Sequence, residues 1–186
     1  LGEAAHVPLP GFSLEGKPRA KLRHAVSRAE REGLEFRVVE GADIAPLLPR
    51  LRAVSDEWLA AKGQREKQFS LGRFDPDYLR GGPIALVERE GEILAFANLW
   101  TLPTRSELSF DLMRSRTEIP NGTMDFLFTR LMEYGRDQGY ATLALGMAPL
   151  SGIESRRLAP RWARLADAIF RHGERLYGYA GLRRYK

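Results

Sequence analysis

Gly139-Tyr140-Ala141-Thr142-Leu143-Ala144-Leu145 is the stretch on which the fold turns. Gly139 stops a helical pattern, and Ala141 to Leu145 reads as a strand. The pattern before it, Gly122 to Gln138, repeats Phe126, Leu127, Leu131 and Tyr134 at helical spacing. After the strand, the loop Gly146 to Ser155 leads to a helix from about Pro160 to Arg175 and a last strand over Tyr177 to Leu182. Upstream, Ile84 to Arg89 and Glu92 to Thr101 read as strands joined by a Glu90-Gly91 hairpin turn. Glu107 to Arg114 makes a third strand. Further back, Phe36 to Val39 is a short strand. A helix capped by Asp43 follows and runs to about Lys62, with Leu47, Leu48, Leu51, Val54 and Trp58 inward. Pro46 suits its first turn and Pro49 bends it. Gly63 to Phe74 is a polar loop, and Pro76 to Arg80 a short helical piece. Near the start, residues 1–18 read as a short strand and connector. Arg19 to Glu32 is a helix with Leu22, Ala25, Val26 and Ala29 as its apolar stripe. This order predicts an α/β chain, a mixed sheet flanked by helices.

Composition excludes several chemistries. Of 186 residues, 44% are apolar and 28% charged, a globular balance with enough apolar residues for a core. Cysteine is absent, which removes disulfides, thiol nucleophiles and thiolate metal sites. His6, His24 and His172 lie far apart without metal-ligand spacing, so no metal site is expected. The longest apolar run, Ile93 to Trp100, is broken by Asn98. It falls far short of the roughly 20 residues of a spanning helix, and no signal peptide opens the chain. The net charge of +5 is uneven. Lys17 to Arg31 and Arg156 to Lys186 are strongly basic, and the stretch between them is acidic. Two basic ends around an acidic middle attract polyanions, either nucleic acid or an anionic membrane.

The element order and the Gly139 to Leu145 strand entry resemble the GNAT acyltransferase fold. A member using acetyl-CoA carries a glycine-rich run that cradles pyrophosphate at a helix N-terminus. The corresponding stretch here, Arg114 to Met124, has one glycine, which argues against CoA as donor. Other runs resemble the aminoacyl-phosphatidylglycerol synthases, also called multiple peptide resistance factors. They are Glu66-Lys67-Gln68-Phe69-Ser70-Leu71-Gly72-Arg73-Phe74, Asp111-Leu112-Met113-Arg114, Pro120-Asn121-Gly122-Thr123-Met124-Asp125-Phe126-Leu127-Phe128, Leu145-Gly146-Met147-Ala148-Pro149-Leu150-Ser151-Gly152 and Gly181-Leu182-Arg183-Arg184-Tyr185-Lys186. The resemblance covers nearly the whole chain.

That resemblance implies a domain of two GNAT-like halves joined by a basic helix. Residues 1–35 would be the end of the first half plus that helix, and 36–186 the second half. Members usually continue past the position of Lys186. The implied reaction moves an aminoacyl group from aminoacyl-tRNA to a hydroxyl of phosphatidylglycerol. It would run at the cytoplasmic face of a bacterial membrane, with the chain tethered by preceding transmembrane helices. Lysine and alanine are the usual donors. The ester is already activated, so no cofactor is implied. Two rivals are a related transferase with a peptide or amine acceptor and an acetyl-CoA-dependent N-acetyltransferase. A third is a catalytically inert module that binds nucleic acid or membrane.

Asp111 and Arg114 are the first candidates for the site. Asp111 falls in a strand with Ser109 and Met113 on its face and Leu108, Phe110 and Leu112 on the other. Arg114 falls where that strand ends, and together they could hold the lipid glycerol and phosphate. The competing reading is a structural Asp–Arg ion pair. Lys186 is a third catalytic candidate, selected only through the resemblance. Glu66, Lys67 and Ser70 lie in the long polar loop, a place where function concentrates. Glu154 and Arg157 follow the Gly146 to Gly152 loop, Glu154 as a carboxylate for the substrate amine. Arg19, Lys21, Arg23 and Arg28 form the polyanion surface. Asp125 reads as a first-turn charge, His172 as packing or capping, and Trp58, Trp100 and Trp162 as core.

Overall fold

A computed structural model describes residues 2–63, 65–66 and 73–149, with side chains described between 6 and 145. The helix expected at 160–175 and the strand at 177–182 lie outside them. The chain divides into two compact units. One is Pro8–Leu143; the other joins Leu1–Val7 to Ala144–Lys186. In the latter, β1 (Gly2–Pro8) and β8 (Thr142–Pro149) are hydrogen-bonded neighbours.

Within Pro8–Leu143, a 3-10 turn at Lys17–Arg19 leads into α1 (Ala20–Arg31). Its stripe holds as read, with Val26 and Ala29 buried. Next come β2 (Leu34–Val39), α2 (Leu48–Ala61), α3 (Pro76–Leu79), β3 (Ile84–Arg89) and β4 (Glu92–Asn98). Then follow β5 (Trp100–Thr101), β6 (Glu107–Ser109), β7 (Met113–Ser115) and α4 (Thr123–Asp137). This is an α/β order with sheets flanked by helices, the fold class that the sequence predicts.

The helix expected to start at Asp43 is corrected. Gly41–Leu47 is a 3-10 segment containing Pro46, and the α-helix begins only at Leu48. No side chain caps either start. Pro49 lies in the first turn of α2, where a missing N–H costs nothing, so it starts the helix and does not bend it.

β2, β3, β4 and β7 form one antiparallel sheet in that order. Glu90 (φ 52°) and Gly91 (φ 78°) both take left-handed backbone, the requirement of a two-residue turn matched to strand twist. β3 and β4 are buried almost throughout, so both sheet faces are covered. Ile84, Leu86, Ile93 and Phe96 join Leu48, Leu51 and Val54 of α2 in one cluster. The small residues Ala85, Ala95 and Ala97 alternate onto the other face, where α4 packs and α1 packs on α4.

The third strand of the meander is also corrected. The sequence predicts continuous strands over 92–101 and 107–114; each breaks in two. β4 pairs with β7, whereas β5 pairs with β6 in a separate sheet. The break falls at Leu99, just past Asn98, on one strand and at Phe110 to Leu112 on the other. Local pattern cannot show it, because it depends on which neighbour each half finds.

Candidate functional site

Asn98 closes β4 and is 5% exposed. Its backbone N–H donates to Leu112 O at 3.1 Å. Its side-chain Oδ1 accepts from Leu112 N–H at 2.8 Å and, more weakly, from Asp111 N–H at 3.4 Å. One side chain thus replaces the ladder partners that are missing where the strand breaks. Asp111 therefore sits in the break between β6 and β7, not in a strand as the sequence predicts. Leu108 and Leu112 are buried, and Phe110 is half-buried.

The Asp111 carboxylate is half satisfied. The Tyr78 hydroxyl donates to Oδ2. Oδ1 is buried and has no hydrogen-bond partner among the described residues. An acceptor oxygen out of water without a donor is costly unless a ligand completes it. Tyr78 stands on α3, whose Asp75 cap accepts from Asp77 N–H at 3.0 Å and Tyr78 N–H at 3.2 Å. Its ring meets Trp100 edge-on, centroids 5.3 Å apart at 62°. Burial first, and the neighbouring Asp111 carboxylate second, push the Tyr78 phenol up to about 12. It is therefore a donor at any physiological pH. Tyr78, Gly82, Asn98 and Trp100 line a shallow recess beside this pair.

Arg114 lies opposite Phe96 in the β4–β7 register, and so on the face that α2 covers. Its guanidinium carbon is 4.1 Å from the centroid of the Trp58 ring. It pairs with Glu66 Oε1 at 3.4 Å, its side chain only 12% exposed. Glu66 Oε1 also accepts from Phe74 N–H at 2.6 Å, which ties the end of the polar loop to the site. Glu66 Oε2 is buried without a hydrogen-bond partner among the described residues. Burial draws the Arg114 guanidinium below its ordinary range, and the Glu66 carboxylate opposes that shift. An arginine stays charged regardless. Glu57, next to Trp58 in sequence, binds Arg116 at 2.9 Å and Thr117 N–H at 2.6 Å, clamping the chain just past Arg114.

Of the expected residues, Glu66 and Arg114 come together, and Asp111 has Tyr78 as its own partner. Lys67, Ser70, Glu154, Arg157 and Lys186 lie outside the described residues, as do His172 and Trp162. Asp125 is in the first turn of α4, as read. On the basic helix, Arg23 donates to Leu14 O and, at 2.7 Å, to Gly16 O. Arg28 donates to Asn121 O at the entry to α4, and Arg19 lies over the Phe12 ring at 5.3 Å. Lys21 is exposed. Arg23 and Arg28 therefore hold the chain's own carbonyls in addition to carrying charge. Among the described residues no group of His, Asp and Glu is arranged to hold a metal ion.

Sequence reasoning missed Tyr78 and the part played by Asn98, and took Trp58 and Trp100 for core. Trp58 is half-buried under a cation, and Trp100 is 47% exposed. The one available signal was Asn98 itself, a polar break in an apolar strand.

Comparisons with known proteins bear on the family and the fold. The family model described as phosphatidylglycerol lysyltransferase, C-terminal, matches residues 1–186. The phosphatidylglycerol lysyltransferase of Bacillus subtilis (strain 168) is 42% identical over 187 aligned residues, spanning 100% of this chain and 22% of that protein. The Staphylococcus aureus (strain MSSA476) protein of the same name is 33% identical over the same span. Two solved structures are close. The C-terminal domain of an Agrobacterium fabrum protein described as a putative lysylphosphatidylglycerol synthetase has a TM-score of 0.82 at 43% identity, covering 96% of this chain and 53% of that one. L-PGS from Bacillus licheniformis has a TM-score of 0.78 at 44% identity, covering 90% and 51%. The chain thus spans about a fifth of the length of the curated relatives, 22%.

Proposed function

The chain belongs to the family of phosphatidylglycerol lysyltransferase C-terminal domains, and from that premise we propose that it carries the acceptor half of an aminoacyl transfer. The donor is aminoacyl-tRNA and the acceptor a hydroxyl of phosphatidylglycerol, presented at the inner face of a bacterial membrane. Residues 1–35 end a preceding half and supply a basic connecting helix, and 36–186 form the second half. The two solved relatives are about twice as long as this chain, which leaves room in them for a preceding half.

In the reaction the lipid hydroxyl oxygen attacks the ester carbonyl carbon. The bond from that carbon to the terminal ribose oxygen of the tRNA breaks, and the proton of the lipid hydroxyl ends on the ribose oxygen. The ester is activated at the outset, so the protein must orient the attacking hydroxyl, hold the lipid phosphate and stabilise charge. Asp111 Oδ1 takes the hydrogen bond of the lipid hydroxyl. Arg114, its plane set by Trp58 and Glu66, offers its fork to the phosphate. Lys186, Lys67, Ser70, Glu154 and Arg157 are the further substrate contacts of this reading, and Arg19, Lys21, Arg23 and Arg28 its polyanion surface.

The observation that carries the reading is the buried Asp111 Oδ1, which has no partner among the described residues, beside an Oδ2 that already has one. The test is lipid aminoacylation by the full-length protein with Asp111→Asn and Arg114→Lys, melting temperature being read on the same preparations. Each variant should lose about a hundredfold or more in turnover, or roughly 2.7 kcal/mol, as expected for a transition-state contact. Near-normal turnover in folded Asp111→Asn ends the assignment.

A further inference from the structure

We propose that Tyr78 is a positioning residue for this transfer: its hydroxyl fixes the Asp111 carboxylate so that Oδ1, and not Oδ2, faces the acceptor hydroxyl. The proposal rests on the acceptor-site reading above and goes beyond it, since nothing in the family resemblance pointed to Tyr78.

Three supports converge on one side chain. The backbone at Asp111 and Leu112 is held by Asn98 Oδ1, which leaves the carboxylate free to turn only about its own side-chain bonds. The Tyr78 hydroxyl then takes Oδ2 and stops that turning. Tyr78 is itself fixed from both ends. Arg73 at 2.7 Å steadies Asp75, which caps α3 through the Tyr78 N–H. Trp100 meets the ring edge-on. Four elements thus meet at one carboxylate: α3, the end of β4, β5 and the break before β7. The result is an acceptor group with one oxygen committed and the other buried with no donor among the described residues. A carboxylate with both oxygens equally available would divide its time between orientations, and misplacement of about 1 Å can cost a hundredfold in rate. The high phenol pKa agrees, because a phenol that ionised near neutrality would repel the carboxylate it must hold.

The experiment is a double-mutant cycle in the full-length protein, using charged tRNA and phosphatidylglycerol vesicles. Tyr78→Phe keeps the ring and its Trp100 contact and removes only the hydroxyl. The expected result is a kcat lowered about ten- to a hundredfold, within the range of a positioning loss, with KM for the lipid unchanged within about twofold, the split expected of an interaction made in the transition state. Because Tyr78 acts through Asp111, adding Tyr78→Phe to Asp111→Asn should cost nothing further. Should Tyr78→Phe fail to fold, Trp100→Leu, at an exposed position, loosens Tyr78 instead. It should give a smaller kcat loss that likewise disappears in the Asp111→Asn background.

The outcomes separate the two claims. If Asp111→Asn keeps full turnover, the acceptor-site reading fails and this proposal with it. If Asp111→Asn is crippled while folded Tyr78→Phe turns over normally, only the proposal is overturned. Multiplicative losses in the double variant, or a fall in melting temperature with kcat per folded molecule unchanged, also overturn it.

Discussion

Replacing Trp58 by leucine tests the stacking platform under Arg114. The guanidinium carbon stands 4.1 Å from the ring centroid, and the Arg114 side chain is 12% exposed. A cation–π interaction this far removed from water contributes about 2 kcal/mol. Trimming a half-buried indole to Leu removes roughly a further 1 kcal/mol of apolar burial. The sum is about 3 kcal/mol, or a fall of about 6–12 °C in melting temperature for a chain of this length. Because most of that loss is one interaction, it should couple to Arg114. A cycle of Trp58→Leu and Arg114→Leu should give an interaction energy of about 1–2 kcal/mol. Lys62 also lies near the Trp58 ring, 5.8 Å from its centroid, but is exposed. Lys62→Gln should therefore change stability by less than about 0.5 kcal/mol. The assay is calorimetric melting with lipid aminoacylation on the same samples, where Trp58→Leu should also lower turnover. Additivity of the two losses within about 0.5 kcal/mol would refute the stack as the support of Arg114.

The Tyr78 phenol is raised in the folded chain, so the stability tied to its protonation is present below about pH 10 and disappears as pH rises toward about 12. Urea titrations between those values should show a shallower alkaline decline in Tyr78→Phe, and equal slopes would contradict the shift. Changing Arg19, Lys21, Arg23 and Arg28 together to Gln should weaken tRNA or anionic-lipid binding and flatten its salt dependence, by about 0.9 in log–log slope for each duplex phosphate no longer neutralised. Arg23→Gln and Arg28→Gln alone should also lower the melting temperature, whereas Lys21→Gln should not; identical melting of all three would remove their structural role. Gly135→Ala should destabilise by about 1–3 kcal/mol in spite of its better helix propensity, because the new methyl would lie 2.6 Å from Leu9 Cδ1 and 3.1 Å from Leu108 Cδ2; a rise in melting temperature would show that those leucines can give way. Calorimetric titration with acetyl-CoA should show no saturable binding at micromolar concentration, since Arg114 to Met124 has a single glycine, and a tight one-to-one complex would restore the acetyltransferase rival.

Much of the architecture was legible because it follows from period and punctuation. The stripe of α1, the stripe of α4 and the Glu90-Gly91 turn are local facts, and each appears where the pattern puts it. The start of α2 was misread because Pro46 and Pro49, on either side of that start, favour a 3-10 entry over a side-chain cap. The broken meander was missed for a different reason. Val, Ile, Leu and Phe at alternate positions mark a strand but not its partner, and β4 and β5, one residue apart, pair with different strands. The site was half legible in the same way. Charged residues in an apolar context drew attention to Asp111 and Arg114, whereas their supports are distant in sequence. Tyr78 lies 33 residues from Asp111, and Glu66 48 from Arg114. No spacing rule connects them, and aromatic side chains that serve polar neighbours look like core until the neighbours are placed.

The strand break that the sequence hid is also what makes the site reading coherent. In an unbroken strand, residues three apart point to opposite faces, so Asp111 and Arg114 could not serve one lipid headgroup. Arg114 keeps strand geometry, paired across from Phe96, and its direction is set by the sheet. Asp111 lies outside any ladder, and its direction is set by Asn98 and Tyr78. Breaking the strand costs ladder hydrogen bonds, which Asn98 restores within the buried core. A hydrophobic residue at 98 would suit β4 as well or better, yet would leave the Leu112 N–H without its acceptor. The polar interruption in an otherwise apolar strand is thus the structural requirement for a carboxylate freed from strand direction and a guanidinium held in it.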